Sequence, residues 1–273
     1  VGLFNGSYLG VSAIFIFGMY RQYDINRVTY WFRELRALFF LRKLKTEETL
    51  ILEKYFGYYR KLNQKHKSEF TRKLELILST KEFVGRGGIS EVSSEMEILI
   101  GATIVQVTFG WKRIRLPHFD KILIYPTSYY NTSLKSYHKG EVNPKLGVIV
   151  LSWKSFVEGL IDNSDGVNLG IHEIAHALQL ENQIRFNGES DFLDKKQWSE
   201  YKILAARELE RLRSGRTSLM RNRAGNDEHE FFAVALETFF EKPSEFKSEI
   251  PDLYQVLVNL LCQDPLVWMD QKS

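Results

Sequence analysis

Gly170-Ile171-His172-Glu173-Ile174-Ala175-His176-Ala177-Leu178 is the stretch around which the rest of the chain is organised. On an α-helix, side chains four positions apart lie on one face, so His172 and His176 stack there. Two imidazoles so placed can reach a single metal ion, and Glu173, one step round the helix, can reach a water bound to it. This H-E-x-x-H spacing is the pattern of zinc hydrolases. Zinc brings the pKa of its water to about 7, and the carboxylate acts as general base. The same letters also arise by chance, or in a buried helix with two satisfied histidines. Here Val167, Leu169, Ile171, Ile174, Ala175 and Leu178 make the helix apolar around the polar triplet. Burying two histidines and a carboxylate together is costly unless they are paired or metal-bound. The stretch therefore predicts one Zn2+ ion, with His172 and His176 as ligands and Glu173 as base.

The chain has 273 residues, enough for one large domain or a domain with an appendage. Its net charge of +3 gives no support for nucleic-acid binding, and no phosphate loop or dinucleotide fingerprint is present. With a single cysteine, Cys262, no intrachain disulfide can form; it reads as a small core residue.

Residues 1–20 carry no charged side chain, and Tyr8 to Tyr20 is nearly all apolar or small. Such a run is a transmembrane candidate, since about 20 residues span a bilayer. Two other readings compete: a signal peptide, although no small-x-small site precedes Arg21, or a helix buried in the domain. Arg21, Arg27, Arg33, Arg36, Arg42 and Lys43 follow, and a basic flank predicts that the next domain faces the cytoplasm. The expected layout is an anchor at 1–22, a basic amphipathic linker helix at 23–45 and a zinc metallopeptidase domain at 46–273. The linker would lie on the membrane or pack on the domain.

From Thr46 the apolar spacing is helical, with a second helix through Phe70, Leu74, Ile77 and Leu78 that ends near Gly85-Arg86-Gly87-Gly88. Ser90 is placed to cap a third helix ending before Gly110. Lys121–Pro126 and Gly147–Trp153 read as strands, with a short third between them, and the edge of the second could hold an extended peptide beside the metal. His138, in the intervening loop, reads as a surface residue. The fold class is α+β, mainly helical with a small sheet.

Catalytic zinc takes three protein ligands and keeps one position open. The strong helix Asp227–Pro243 offers Glu230 and Glu237, seven apart and on one face. Two carboxylates in so aromatic a helix need partners. Glu230 as ligand and Glu237 behind a ligand histidine would satisfy both; alternatively one of them faces water. His229 points about 100° away from Glu230 and is the weaker ligand candidate.

Further stretches carry a resemblance: Phe83-Val84-Gly85, Ile124-Tyr125-Pro126, Val150-Leu151-Ser152-Trp153, Asn187-Gly188, Glu230-Phe231-Phe232-Ala233-Val234 and Glu237 through Pro243. With the histidine motif, they make the chain similar to the MtfA-type zinc-dependent peptidases from about Leu50 to Leu266. The resemblance implies a zincin-like core related to that of lethal factor, with zinc on His172, His176 and Glu230 and Glu173 as base. It also implies aminopeptidase-like activity on small substrates and, for the best-known bacterial member, binding of a transcriptional repressor of sugar uptake. Two positions depart from the family pattern. Gln179 stands where an aspartate is common, and Arg223 stands where a tyrosine is common, seven residues before the third ligand. Arg223 could supply positive charge to the oxyanion in its place, or Tyr201 could fold over the site.

These readings favour a membrane-anchored zinc peptidase with a peptide substrate, held at the inner membrane with its catalytic domain in the cytoplasm. The alternative is a zinc-stabilised binding module that sequesters a regulatory protein.

Overall fold

The computed structural model describes residues 41–113, 116–131, 135–162, 164–184 and 192–270. Residues 41–45 are not helical, contrary to the expected linker helix. Their amides find partners on a neighbouring helix instead: Arg42 N donates to Ser79 Oγ at 2.9 Å and Leu44 N to Glu75 Oε1 at 3.0 Å. The Arg42 guanidinium also pairs with Glu48 and Glu97. The rest of that stretch and the apolar run at 1–22 lie outside the described residues. Among the described residues no helix is long and apolar enough to cross a membrane.

Helices α1 (Thr46–Tyr55), α2 (Gly57–Lys61) and α3 (Gln64–Thr80) come first, then β1 (Glu82–Gly85) and α4 (Ser94–Thr108). Helix α3 stops at Thr80, earlier than its spacing suggested, because Glu82–Gly85 pairs as a parallel strand with Lys121–Ile124. The cap of α4 is Ser93, whose hydroxyl accepts from Met96 N, and not Ser90.

Strands β2 (Lys121–Tyr125), β3 (Tyr129–Asn131), β4 (Ser136–His138), β5 (Gly140–Asn143) and β6 (Val148–Ser152) follow. The main sheet has the order β1-β2-β6-β5, with β5 antiparallel to β6 and the other pairs parallel. Strand β6 is therefore interior, and all five of its residues are buried. The expectation of a substrate edge along 147–153 is corrected: both sides of β6 are already paired, and the edge next to it is β5. Strands β3 and β4 form a separate hairpin.

Helices α5 (Trp153–Ile161), α6 (Leu169–Gln183) and α7 (Lys195–Arg213), a 3-10 turn (Asn222–Gly225), α8 (Glu228–Glu241), α9 (Pro243–Glu249), α10 (Pro251–Leu261) and α11 (Pro265–Asp270) complete the order. The described residues are thus mainly helical with small sheets, an α+β arrangement. Cys262 is not a core residue. It is exposed, in the left-handed position at the end of α10, with φ 52°.

Two helices are buried nearly all round, α4 from Ile98 to Thr108 and α8 from Phe231 to Phe240, as expected of helices that are apolar on every face. Helix α6, which carries the histidine motif, packs against α4 and α8 and beneath β5 and β6. Gly170 permits this: a Cβ there would lie 2.6 Å from the Phe156 ring and 3.1 Å from Thr103 Cγ2.

Candidate metal centre

The site is built where α6 crosses α8. Asn168 starts α6, its side chain accepting from Ile171 N at 3.0 Å. One turn later His172 and Glu173 are buried and His176 is half-buried. The two imidazoles meet edge to face, with ring centroids 4.7 Å apart and an Nε2···Nε2 separation of 3.1 Å.

Asp227 caps α8, accepting from His229 N and Glu230 N at 2.8 and 2.9 Å. This puts Glu230 in the first turn, where the helix dipole favours a carboxylate. Its oxygens lie 3.5 Å from His172 Nε2 and 3.6 Å from His176 Nε2. One ligand atom from each of His172, His176 and Glu230 falls within 4.8 Å of the others, an arrangement able to hold a metal ion.

Two turns further along α8, Glu237 is buried. It accepts from His172 Nδ1 at 2.6 Å and from Asn168 N at 2.6 Å. Its first contact sets the tautomer: with Nδ1 donating to Glu237, neutral His172 presents the Nε2 lone pair to Glu230 and His176. Arg221 Nη2 reaches both Glu237 oxygens, at 2.5 and 2.7 Å. Asn168 Nδ2 donates to Gly159 O and to Glu241 Oε1, and Glu241 Oε2 accepts from Gly166 N. Residues Glu237 and Glu241 thereby fasten the start of α6 to α8.

The electrostatics call for a cation. Burial opposes charge on His172, yet hydrogen bonds to Glu230 and Glu237 outweigh it and raise its pKa to about 9. Burial also acts against charge on Glu230, but hydrogen bonds from His172, His176 and Arg223 hold it well below the usual carboxylate range. Burial pushes Glu173 up to about 7, with Glu230 and Glu237 adding to it and His172 and Arg223 opposing. A proton on His172 or a divalent ion at the same point would each offset that negative charge. The donor set, two imidazoles and a carboxylate, suits such an ion.

Glu173 lies against the edge strand. A Cβ on Gly140 would come within 2.4 Å of Glu173 Oε1, so only glycine leaves the carboxylate its place. Beside it, Glu141 Oε2 accepts from Tyr129 Oη at 3.1 Å and Asn131 Nδ2 at 2.6 Å, tying the β3–β4 hairpin to β5.

The remaining candidates fall elsewhere. Arg223, expected on the oxyanion side, is forked onto Glu230, its Nε on Oε2 and its Nη2 on Oε1. His229 Nδ1 meets Gln179 Oε1 at 3.0 Å, away from the cluster. His138 Nε2 pairs with Ser136 Oγ, and Tyr201 is packed between Trp198 and Phe232. Sequence reasoning missed Arg221. Its one signal was the surplus of buried acid, which demanded a second cation.

Comparison with known proteins agrees with the resemblance. An uncharacterized protein of Synechocystis is 25% identical over 253 residues, covering 87% of this chain and 91% of its own. Mlc titration factor A of Escherichia coli is 27% identical over 226 residues, covering 75% of this chain and 82% of its own. The protein of that name from Shigella flexneri matches over the same shares at 27% identity. A family described as glucose-regulated metallo-peptidase M90 matches residues 31–261. With a match across most of its length, the chain belongs to that metallopeptidase family.

Proposed function

We propose that the chain is a zinc-dependent peptidase, aminopeptidase-like, in which His172, His176 and Glu230 hold one zinc ion and Glu173 is the general base. One observation carries this reading: one ligand atom from each of the three residues lies within 4.8 Å of the others, with the two Nε2 atoms 3.1 Å apart and each within 3.5–3.6 Å of a different oxygen of Glu230. Tetrahedral zinc with ligands at ~2.0–2.1 Å keeps them roughly 3.3–3.4 Å apart. Zinc held there supplies Lewis acidity and an acidified water.

The chain's own groups do the rest. Glu173, buried and raised to about 7, takes the proton of the attacking water and returns it to the leaving amine. Glu237 orients His172, and Arg221 grips both oxygens of Glu237. The β5 edge, next to Glu173, can bind an extended peptide by main-chain hydrogen bonds. The apolar run at 1–22 would anchor the domain at the cytoplasmic face of the inner membrane, which fractionation of cells tests.

The decisive experiment compares purified protein with Glu173→Gln. We expect peptide cleavage to fall about 10²–10⁴-fold with bound zinc unchanged. Equal cleavage by both would falsify the assignment.

A second reading is favoured by the name of the relatives, Mlc titration factor A. Here the domain is a zinc-stabilised module that sequesters a regulatory protein such as a transcriptional repressor. Calorimetric titration of a purified sugar-uptake repressor, with and without chelator, discriminates: heat of binding lost on chelation supports it, and no heat in either condition removes it.

A further inference from the structure

Arg223 differs from the other cation of the site in what it touches. Arg221 acts from behind, through Glu237, whereas Arg223 grips Glu230 itself. It does so with a planar fork, Nε and Nη2 on the two carboxylate oxygens. Those same oxygens face His172 Nε2 and His176 Nε2. The turn that carries Arg223 is itself fixed, because Arg213 donates to Gly225 O at 3.0 Å and to Asn226 O at 3.1 Å. The Arg223 side chain is about half exposed, at 52%, against 17% for Glu230. A permanent cation thus shares one partly buried carboxylate with the point on which the two imidazoles converge.

Two cations on one carboxylate repel, and each draws electron density that the other needs. A guanidinium stays charged at any working pH, so the competition is never relieved by deprotonation. We infer that Arg223 sets the metal affinity of the site, holding Glu230 in place when the metal leaves and keeping the affinity below what two histidines and a free glutamate would give. The inference rests on the reading of His172, His176 and Glu230 as ligands. It makes Arg223 a positioning residue whose effect is a metal that exchanges readily, so that the loaded fraction follows the metal concentration around the protein.

The test is competition for Zn2+ between the protein and a chromophoric chelator, read as a zinc dissociation constant, with folding followed by circular dichroism. Two neutral variants, Arg223→Gln and Arg223→Met, are compared with Arg223→Lys and His176→Ala. The neutral variants should bind zinc about tenfold more tightly than wild type, a change similar in size and opposite in sign to the loss of an ordinary hydrogen-bond partner of a metal ligand. Arg223→Lys keeps the charge but loses the fork, and should fall between wild type and the neutral variants. Neutral variants that bind zinc equally or more weakly overturn the inference, as does a lysine variant as tight as the glutamine one. His176→Ala separates the two levels: if it leaves zinc binding intact, the ligand reading has failed. If it abolishes binding while the neutral variants fail to tighten it, only the role of Arg223 has failed.

Discussion

At the scale of the residue, Glu173 and Gly140 form a pair that can be broken from either side. Gly140→Ala should leave the backbone unstrained while its Cβ, 2.4 Å from the place of Glu173 Oε1, displaces the base. The expected result is a loss of about tenfold or more in kcat with little change in zinc affinity, since misplacement of a catalytic group by ~1 Å costs rate steeply. Peptide hydrolysis and metal analysis of the same preparation measure both. The pH profile follows from Glu173 as well. Its carboxylate must be unprotonated to accept a proton, and burial raises its pKa to about 7, so kcat/KM should rise with pH on the acid side. A bound dication favours the carboxylate and moves that limb downward. A rate that falls between about pH 5 and 7 would contradict the role of Glu173. His172, Glu173 and His176 were legible in the sequence because their juxtaposition is helical geometry, a property of neighbouring residues. Gly140 was not, because its meaning lies in a side chain that arrives from another element.

At the scale of the element, the junction of α6 with α8 carries the site. Asn168 caps α6 and spends its remaining groups on Gly159 O, Glu241 and Glu237. Asn168→Ala removes the cap and takes the Asn168 Nδ2 donor from Gly159 O and Glu241 Oε1. We expect a loss of about 1–3 kcal/mol, the sum of a cap and an unsatisfied buried partner, measured by urea unfolding. Zinc affinity should weaken in the same variant, since His172 sits in the turn that Asn168 starts. An unchanged denaturation midpoint would show that the cap contributes nothing. The helices themselves were legible from apolar spacing. Their ends were less so, because ends are set by partners: β1 interrupts the run after Thr80 by pairing with β2, and Arg42 and Leu44 give their amides to α3. The order of strands also escaped the sequence. A buried strand such as β6 is apolar on both faces, and that pattern does not tell which neighbour lies at its side.

At the scale of the whole molecule, a metal held by His172, His176 and Glu230 would be linked to the fold. A ligand that binds the native state stabilises it by RT ln(1 + [L]/Kd), about 2.7 kcal/mol at a hundredfold excess over Kd. Thermal melting should therefore shift upward with added zinc and downward with chelator, and the shift should vanish in His176→Ala. A Tm indifferent to zinc and chelator would leave the site without a metal. The sequence by itself determined the helical class, the histidine-bearing face of α6 and the carboxylate-bearing helix α8, since periodicity and the cost of burying charge are readable from one chain. Only the tertiary structure decided that Glu237 lies behind His172, that Arg221 balances it, that Arg223 grips Glu230, and that β5 is the sheet edge beside Glu173. Each of these is a contact between elements distant in sequence, and such contacts are fixed by how the helices pack, which no local pattern encodes.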